Sequence, residues 1–299
     1  MRAPDHQGMP SSLWWLLVGL TLAWGLNWTA MKIALAEFSP WIFRSLCLSL
    51  GALLVFAIVR ATGGSLRVAR AHWAKLAVLA FFNVTCWNML IAYGLTMIES
   101  GRTAILAFTM PVWSVPLSAW LLGERITRQK FIALGLGAAG FALLLAEEFG
   151  DLRRAPLGSL LALAAALVWA IGVVLQKRWP LGVSTGSFAA WTMLLGGLPI
   201  FAWTLLFEQG NWTPVGAAAL AALAYNVVIA FAFAYWAWFK IATAVSVTVS
   251  SISVLSIPVV GVISGMVFLG ERPSLAEYAA LVLVSGAILA VNLPGKKSR

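Results

Sequence analysis

Pro111-Val112, followed by Leu122-Gly123-Glu124-Arg125, returns later in the chain as Pro258-Val259 followed by Leu269-Gly270-Glu271-Arg272, each residue displaced by 147. Two further matches keep nearly the same register. Leu22-Ala23-Trp24 returns as Leu167-Val168-Trp169, and Lys32 returns as Lys177, both displaced by 145. Chance supplies one such pair easily, but not a proline, a four-residue motif, a tryptophan and a lysine together. The chain is one unit written twice, and internal repetition sets the architecture before any single motif does.

Composition says what the unit is built from. Of 299 residues, 62% are hydrophobic and 10% are charged. A soluble domain carries about 25% charged residues, so this chain has too few to cover a water-facing surface. A bilayer core about 30 Å thick needs roughly 20 apolar residues per helix. Reading between charges, prolines and turn clusters gives candidate spans near 13–35, 41–59, 76–98, 102–122, 130–146, 157–176, 184–207, 214–239, 242–269 and 274–293, the fifth and tenth being the shortest. Each copy then holds five spans. Five is odd, so the second copy must enter the bilayer from the opposite side.

The expectation is an all-α membrane protein of ten transmembrane helices, arranged as two inverted five-helix repeats over residues 1–150 and 151–299. With a cytoplasmic N-terminus, most of the 20 Lys and Arg fall in cytoplasmic segments, among them Arg60, Arg67, Arg70, Lys75, Arg125, Arg128 and Lys130. That is the direction the positive-inside rule requires. Lys32, Arg44 and Arg102 fall on the opposite side, with Glu37, Glu99, Glu208, Glu271 and Glu277. Both termini are cytoplasmic on this reading. The net charge of +10 follows from membrane topology and needs no nucleic-acid partner. Inverted repeats are characteristic of secondary transporters, whose substrate site lies near the midplane between the halves.

Ten helices in two five-helix repeats, each fourth helix carrying a mid-span proline and ending in Leu-Gly-Glu-Arg, resemble the drug/metabolite transporter superfamily, EamA type. Within it the chain is most similar to bacterial amino acid exporters of the YddG type. The resemblance implies export of aromatic and other neutral amino acids across the bacterial inner membrane by alternating access, with no cofactor. Its partners would be a small-molecule substrate and the lipid bilayer, and a monomer is compatible with it. The same superfamily also contains carriers of sugars, nucleotide sugars and organic phosphates, which stay open as alternatives, as does a non-transporting membrane scaffold.

Polar and aromatic residues at membrane depth mark where a solute could sit. In the first span Trp24, Asn27, Trp28 and Met31 follow i, i+3, i+4, i+7 spacing and share a face. Trp169 and Gly172 take the matching positions in the sixth span. The third span offers Asn83, Trp87, Asn88 and Tyr93, and the eighth offers Tyr225, Asn226 and Tyr235. The candidate substrate-binding residues are therefore Trp24, Asn27, Trp28, Asn83, Trp87, Tyr93, Trp169, Tyr225 and Tyr235, a set with aromatic walls and neutral hydrogen-bonding groups. The competing reading is that these tryptophans pack helices together and the asparagines bridge them. Pro111 and Pro258 are candidate hinges, or static kinks that shape the cavity. Lys32 and Lys177 lie toward helix ends, where a long stem reaches the interface or meets an anion at the mouth.

The gaps in the sequence exclude other chemistry. No Asp or Glu falls near the middle of a span, which argues against a proton relay or a cation-drug site, and the deep positions are read as neutral. His6 and His72 are the only histidines, and no nucleophile-and-base or metal-binding spacing appears. Cys47 and Cys86 are too far apart in pattern for a metal knuckle or a disulfide framework. An enzyme is not expected, nor a metal.

Overall fold

The computed structural model describes residues 11–124, 126, 128–150, 156–211, 214–237 and 257–292. Regular structure among them is helical throughout. In chain order the helices are α1 (Ser11–Leu35), α2 (Pro40–Ala61), α3 (Arg70–Met97), α4 (Ser100–Leu122), α5 (Arg128–Gly150), α6 (Leu157–Arg178), α7 (Thr185–Phe207), α8 (Ala217–Ala237), α9 (Ile257–Leu269) and α10 (Leu275–Asn292). Seven of these, α1 to α4 and α6 to α8, are long and apolar enough to cross a membrane, while α9 and the apolar parts of α5 and α10 are shorter. The span expected over 242–269 is described from Ile257 onward; its earlier part lies outside the described residues.

The helices start and stop where local chemistry dictates. Ser39 and Ser184 each accept an amide N–H in the first turn of the helix that follows, at α2 and α7, satisfying a donor with no intrahelical partner. The two Leu-Gly-Glu turns close α4 and α9 identically. Gly123 and Gly270 take φ of 67° and 68°, the left-handed region glycine enters without steric cost. The glycine amide and the next one reach back to a single carbonyl, Gly123 and Glu124 to Ser118, Gly270 and Glu271 to Gly265, a widened form of a glycine cap. The motif that revealed the repeat is a helix terminator.

Pro111 sits at mid-span, as expected, and the structure shows what it does there. α4 is two helices, Ser100–Ala107 and Met110–Leu122, with Pro111 in the first turn of the second. Lacking an N–H, proline is tolerated in a first turn and not in a helix interior. The chain tightens ahead of it: Thr109 N–H donates to the Leu106 carbonyl and Val112 N–H to the Thr109 carbonyl, both three residues back. Pro116 and Pro199 lie inside α4 and α7. Beside Pro199 the hydroxyl of Thr85 on α3 donates to the Gly196 carbonyl at 2.7 Å, the kind of rescue a neighbouring helix gives a proline-bearing span.

Helix pairing has a reciprocal pattern. α1 packs on α8 and α6 packs on α3; α2 packs on α7 and α5 on α10. Small residues let the backbones approach, and Gly196 of α7 lies against Ala80 and Val84 of α3, as membrane helices require in the absence of a hydrophobic drive between them. The largest buried cluster gathers side chains from nearly every helix, including Phe43, Leu48, Ile91, Leu106, Met193 and Ile200. Cys47 and Cys86 are free thiols.

One buried ion pair ties α4 to α10. Arg102 Nη1 lies 3.7 Å from Glu277 Oε1, their side chains 2% and 8% exposed, and Arg102 Nη2 donates to the Leu144 carbonyl of α5 at 3.0 Å. Removing one partner of a buried pair strands the other charge, at roughly 3–5 kcal/mol, whereas replacing both with apolar groups is often neutral. Glu277→Gln should therefore lower the melting temperature of the detergent-solubilised protein clearly, and the Arg102→Met, Glu277→Leu double variant should recover most of that loss. Equal melting of Glu277→Gln and the wild type would show that the pair does not hold α10.

Candidate functional site

The expected residues fall into two groups. The first joins α1 and α8. Trp24 Nε1 donates to the Ala230 carbonyl at 3.1 Å, and its ring meets Tyr235 edge-on at a centroid distance of 6.0 Å. Tyr235 in turn stacks on Phe231 at 5.9 Å with an interplanar angle of 7°. The Tyr225 hydroxyl donates to the Ala23 carbonyl at 2.8 Å. The second group joins α3 and α6, where the Trp87 and Trp169 rings lie 4.9 Å apart. Gly172 leaves space for the Asn83 amide, with which a Cβ at residue 172 would collide. Trp28 is 6% exposed and packs on Gly261 of α9. Tyr93 stands apart, one turn before the end of α3.

Both groups are built around widened helix turns. α3 passes through π-helical geometry at Phe81–Cys86 and α8 at Asn226–Phe233. The two stretches begin 145 residues apart, the register that relates Trp24 to Trp169. A π turn interrupts the i→i−4 ladder and rotates the face that follows it, and such turns are frequent at functional sites. Asn83 and Asn226 lie in these turns and are buried. The Oδ1 atoms of Asn27, Asn83 and Asn226 are buried without a hydrogen-bond donor. An unmatched buried acceptor costs about 1–3 kcal/mol, and none of the three asparagines is among the residues lining the cavity that opens between α2, α7 and α8.

A cavity of about 430 Å³ opens between the last turn of α2, the start of α7 and α8; Val55, Thr62, Ser184, Gly186, Tyr235 and Trp236 are among its lining. Ligand sites typically hold about 300–1,000 Å³. Of the nine candidate residues Tyr235 lines this cavity. It therefore reaches the α1/α8 group by way of Tyr235, and Trp87 and Trp169 lie outside its lining.

Arg44 departs from the sequence reading, which counted it among the charges on the side opposite the cytoplasm and took the deep positions as neutral. It lies inside α2, second turn, and is 2% exposed. Its Nη2 approaches Met31 Sδ at 2.7 Å, its guanidinium carbon lies 5.2 Å from the Phe43 ring centroid, and its Nε has no partner. A cation over an aromatic ring gains about 0.5–2 kcal/mol, against an effective desolvation penalty of several kcal/mol per buried ion. The signal was present in the sequence, since an arginine four residues into an apolar run of twenty is too deep to be a loop residue. What it lacked was any indication of which way the side chain turns.

The two Gly-Glu turns lie at opposite ends of α4. Glu271 accepts the Ser100 and Gly101 N–H groups at 2.7 and 3.2 Å and the Ser100 hydroxyl at 2.9 Å, capping the start of α4. Glu124 follows the end of α4 and forms an ion pair with Lys177 at the end of α6. Lys32, the counterpart of Lys177, donates to the Leu95 and Ile98 carbonyls at 2.6 and 2.5 Å and lies in electrostatic reach of Glu271 and Glu99. Both lysines are thus held at helix ends by groups from other helices. The Lys177–Glu124 pair is largely exposed, and such pairs contribute at most about 1 kcal/mol. Among the described residues no cluster of His, Cys, Asp or Glu could hold a metal ion.

The EamA-like transporter family matches the chain twice, over residues 12–146 and 156–293. The uncharacterized transporter YvbV of Bacillus subtilis (strain 168) is 29% identical over 95% of this chain and 92% of its own length. A probable amino-acid metabolite efflux pump of Escherichia coli (strain K12) is 23% identical over 94% of each. A solved crystal structure, 24% identical, shares the fold with a TM-score of 0.67 over 95% of this chain and 97% of its own. The chain belongs to the EamA-like transporter family.

The Trp87–Trp169 pair separates a site role from a surface one. Trp169→Ala should reduce solute uptake in proteoliposomes by about tenfold, which corresponds to about 1.4 kcal/mol. Trp203→Ala, removing a ring that stacks on Trp41 at 5.0 Å and is 43% exposed, should leave uptake within about twofold. Equal effects of the two at matched folded yield would assign Trp169 to packing.

Proposed function

We propose that this transporter exports neutral amino acids, aromatic ones included, across the bacterial inner membrane by alternating access between two inverted repeats, 1–150 and 151–299, with both termini cytoplasmic. One observation carries the solute class. Three buried amide oxygens, on Asn27, Asn83 and Asn226, lack donors, and the helices that carry them also carry Trp24, Tyr235 and Trp87, the last in contact with Trp169 of α6. Neutral acceptors suit an ammonium group, and ring faces suit an apolar or aromatic side chain. The E. coli efflux pump's name, amino-acid metabolite efflux, agrees with this.

The reciprocal pairing of α1 with α8 and α6 with α3 is what a pseudo-two-fold axis in the membrane plane would produce. The placement of Glu124 and Glu271 at opposite ends of α4 supports opposite orientation of the two copies, and the two family matches support the division near residue 150. Ten spans follow if α5, α9 and α10 cross as well. A second reading, a carrier of an organic phosphate, is favoured by one observation, the buried Arg44 cation; a phosphate dianion would call for more than one such charge.

Purified protein in liposomes preloaded with unlabelled phenylalanine or threonine should accumulate the labelled amino acid by counterflow, and a neutral amino acid panel should compete. Equal leakage with and without the protein across that panel would defeat the assignment. If Pro111 and Pro258 are bending points, Pro111→Ala and Pro258→Ala should slow exchange several-fold while leaving the half-saturating concentration within about twofold. Unchanged exchange rates in both would make the break in α4 a static feature.

A further inference from the structure

We propose that Arg44 anchors the carboxylate of the transported solute, an inference that rests on the amino acid export reading above. A guanidinium withdrawn from water needs a counter-charge. Arg102, also buried, has one in Glu277 and a carbonyl in Leu144. Arg44 is equally buried at 2% exposure, yet among the described residues its contacts are a thioether and a ring face. Neither contact carries a negative charge. The planar fork of an arginine matches a carboxylate through two parallel hydrogen bonds, so the group that completes this environment is an anion brought by the solute.

The position of Arg44 supports the assignment. Its Nη2 touches Met31, the residue that continues the α1 face bearing Trp24, Asn27 and Trp28. Tyr235 lies in electrostatic reach of it, and Tyr235 both lines the cavity and packs on Trp24. Arg44 therefore stands against the α1 face near its Met31 end, while the cavity lies toward the other end of α2 and is linked to it through Tyr235. An amino acid with its carboxylate on Arg44 would lie beside the α1 face that carries Trp24 and the donorless, buried Asn27 oxygen. A solute lacking the carboxylate leaves the arginine as unpaired as before, so recognition becomes conditional on the acid group.

The test uses intact protein in liposomes, with labelled phenylalanine and 2-phenylethylamine, which keeps the ring and the ammonium group and lacks the carboxylate. Wild-type protein should carry phenylalanine about tenfold faster or more than the amine. Arg44→Gln should lose most phenylalanine transport, keep amine transport within about twofold, and so lose the preference; Arg44→Lys should retain part of it. Arg44→Gln carrying phenylalanine at the wild-type rate and with wild-type preference would overturn the proposal. A second measurement needs no variant: phenylalanine, and not the amine, should raise the melting temperature of the wild type. Equal stabilisation by both would overturn it as well, and stabilisation by inorganic phosphate alone would move the site to the phosphate reading. A wild type that carries neither compound nor any other neutral amino acid defeats the export reading itself, an outcome distinct from loss of the Arg44 assignment.

Discussion

A helix that ends in or beside hydrocarbon leaves amides and carbonyls with no water to bind, and each such group must find a partner within the protein. In this chain many of those partners come from the other half of the sequence. Glu271 caps α4, and Glu37 accepts the Gly216 N–H that leads into α8. Arg178 donates to the Leu121 carbonyl at the end of α4, and the Thr204 hydroxyl donates to the Trp41 carbonyl at the start of α2. Ser39 binds Glu208 across the same gap. The halves are joined through their helix ends as much as through their apolar faces.

That arrangement places the strongest polar contacts at the two ends of the bundle and leaves the middle to weaker ones. Between the ends lie ring contacts, glycine-mediated close approaches and amide oxygens without donors. Such a middle can accommodate a solute, because few strong bonds have to break for it to enter. On the proposed alternating-access cycle, opening one end would release contacts such as Lys177–Glu124 while those of Glu271 and Lys32 at the other end stay made. The break ahead of Pro111 and the π turns in α3 and α8 give the helices positions at which their course can change without losing a full ladder of hydrogen bonds.

Much of the fold was legible in the sequence because the relevant signals are summed over many residues. A run of twenty apolar side chains reads as a span whatever its neighbours do, and the expected spans over 41–59, 157–176 and 184–207 agree closely with α2, α6 and α7. The site was legible in part. Trp24 with Tyr235, and Trp87 with Trp169, were chosen as mid-span rings and are in contact, yet nothing in the sequence separates them into two groups. Arg44 was missed because its side chain could have turned toward the interface or toward the interior, and only packing against Met31 and Phe43 decides which.

By itself the sequence determined that the chain is helical, that it belongs in a bilayer, and that its halves repeat, since hydropathy and register depend on residue identity alone. The tertiary structure decided where helices break or widen, which carbonyls are rescued, and which charge is sealed inside. Those outcomes depend on what a neighbouring helix presents at a given height. The break before Pro111 is expressed in bonds three residues back, the π turn at Asn83 is accommodated by the missing Cβ of Gly172, and the burial of Arg44 is set by α1. Each is a property of two or more helices together, and no single stretch of sequence contains it.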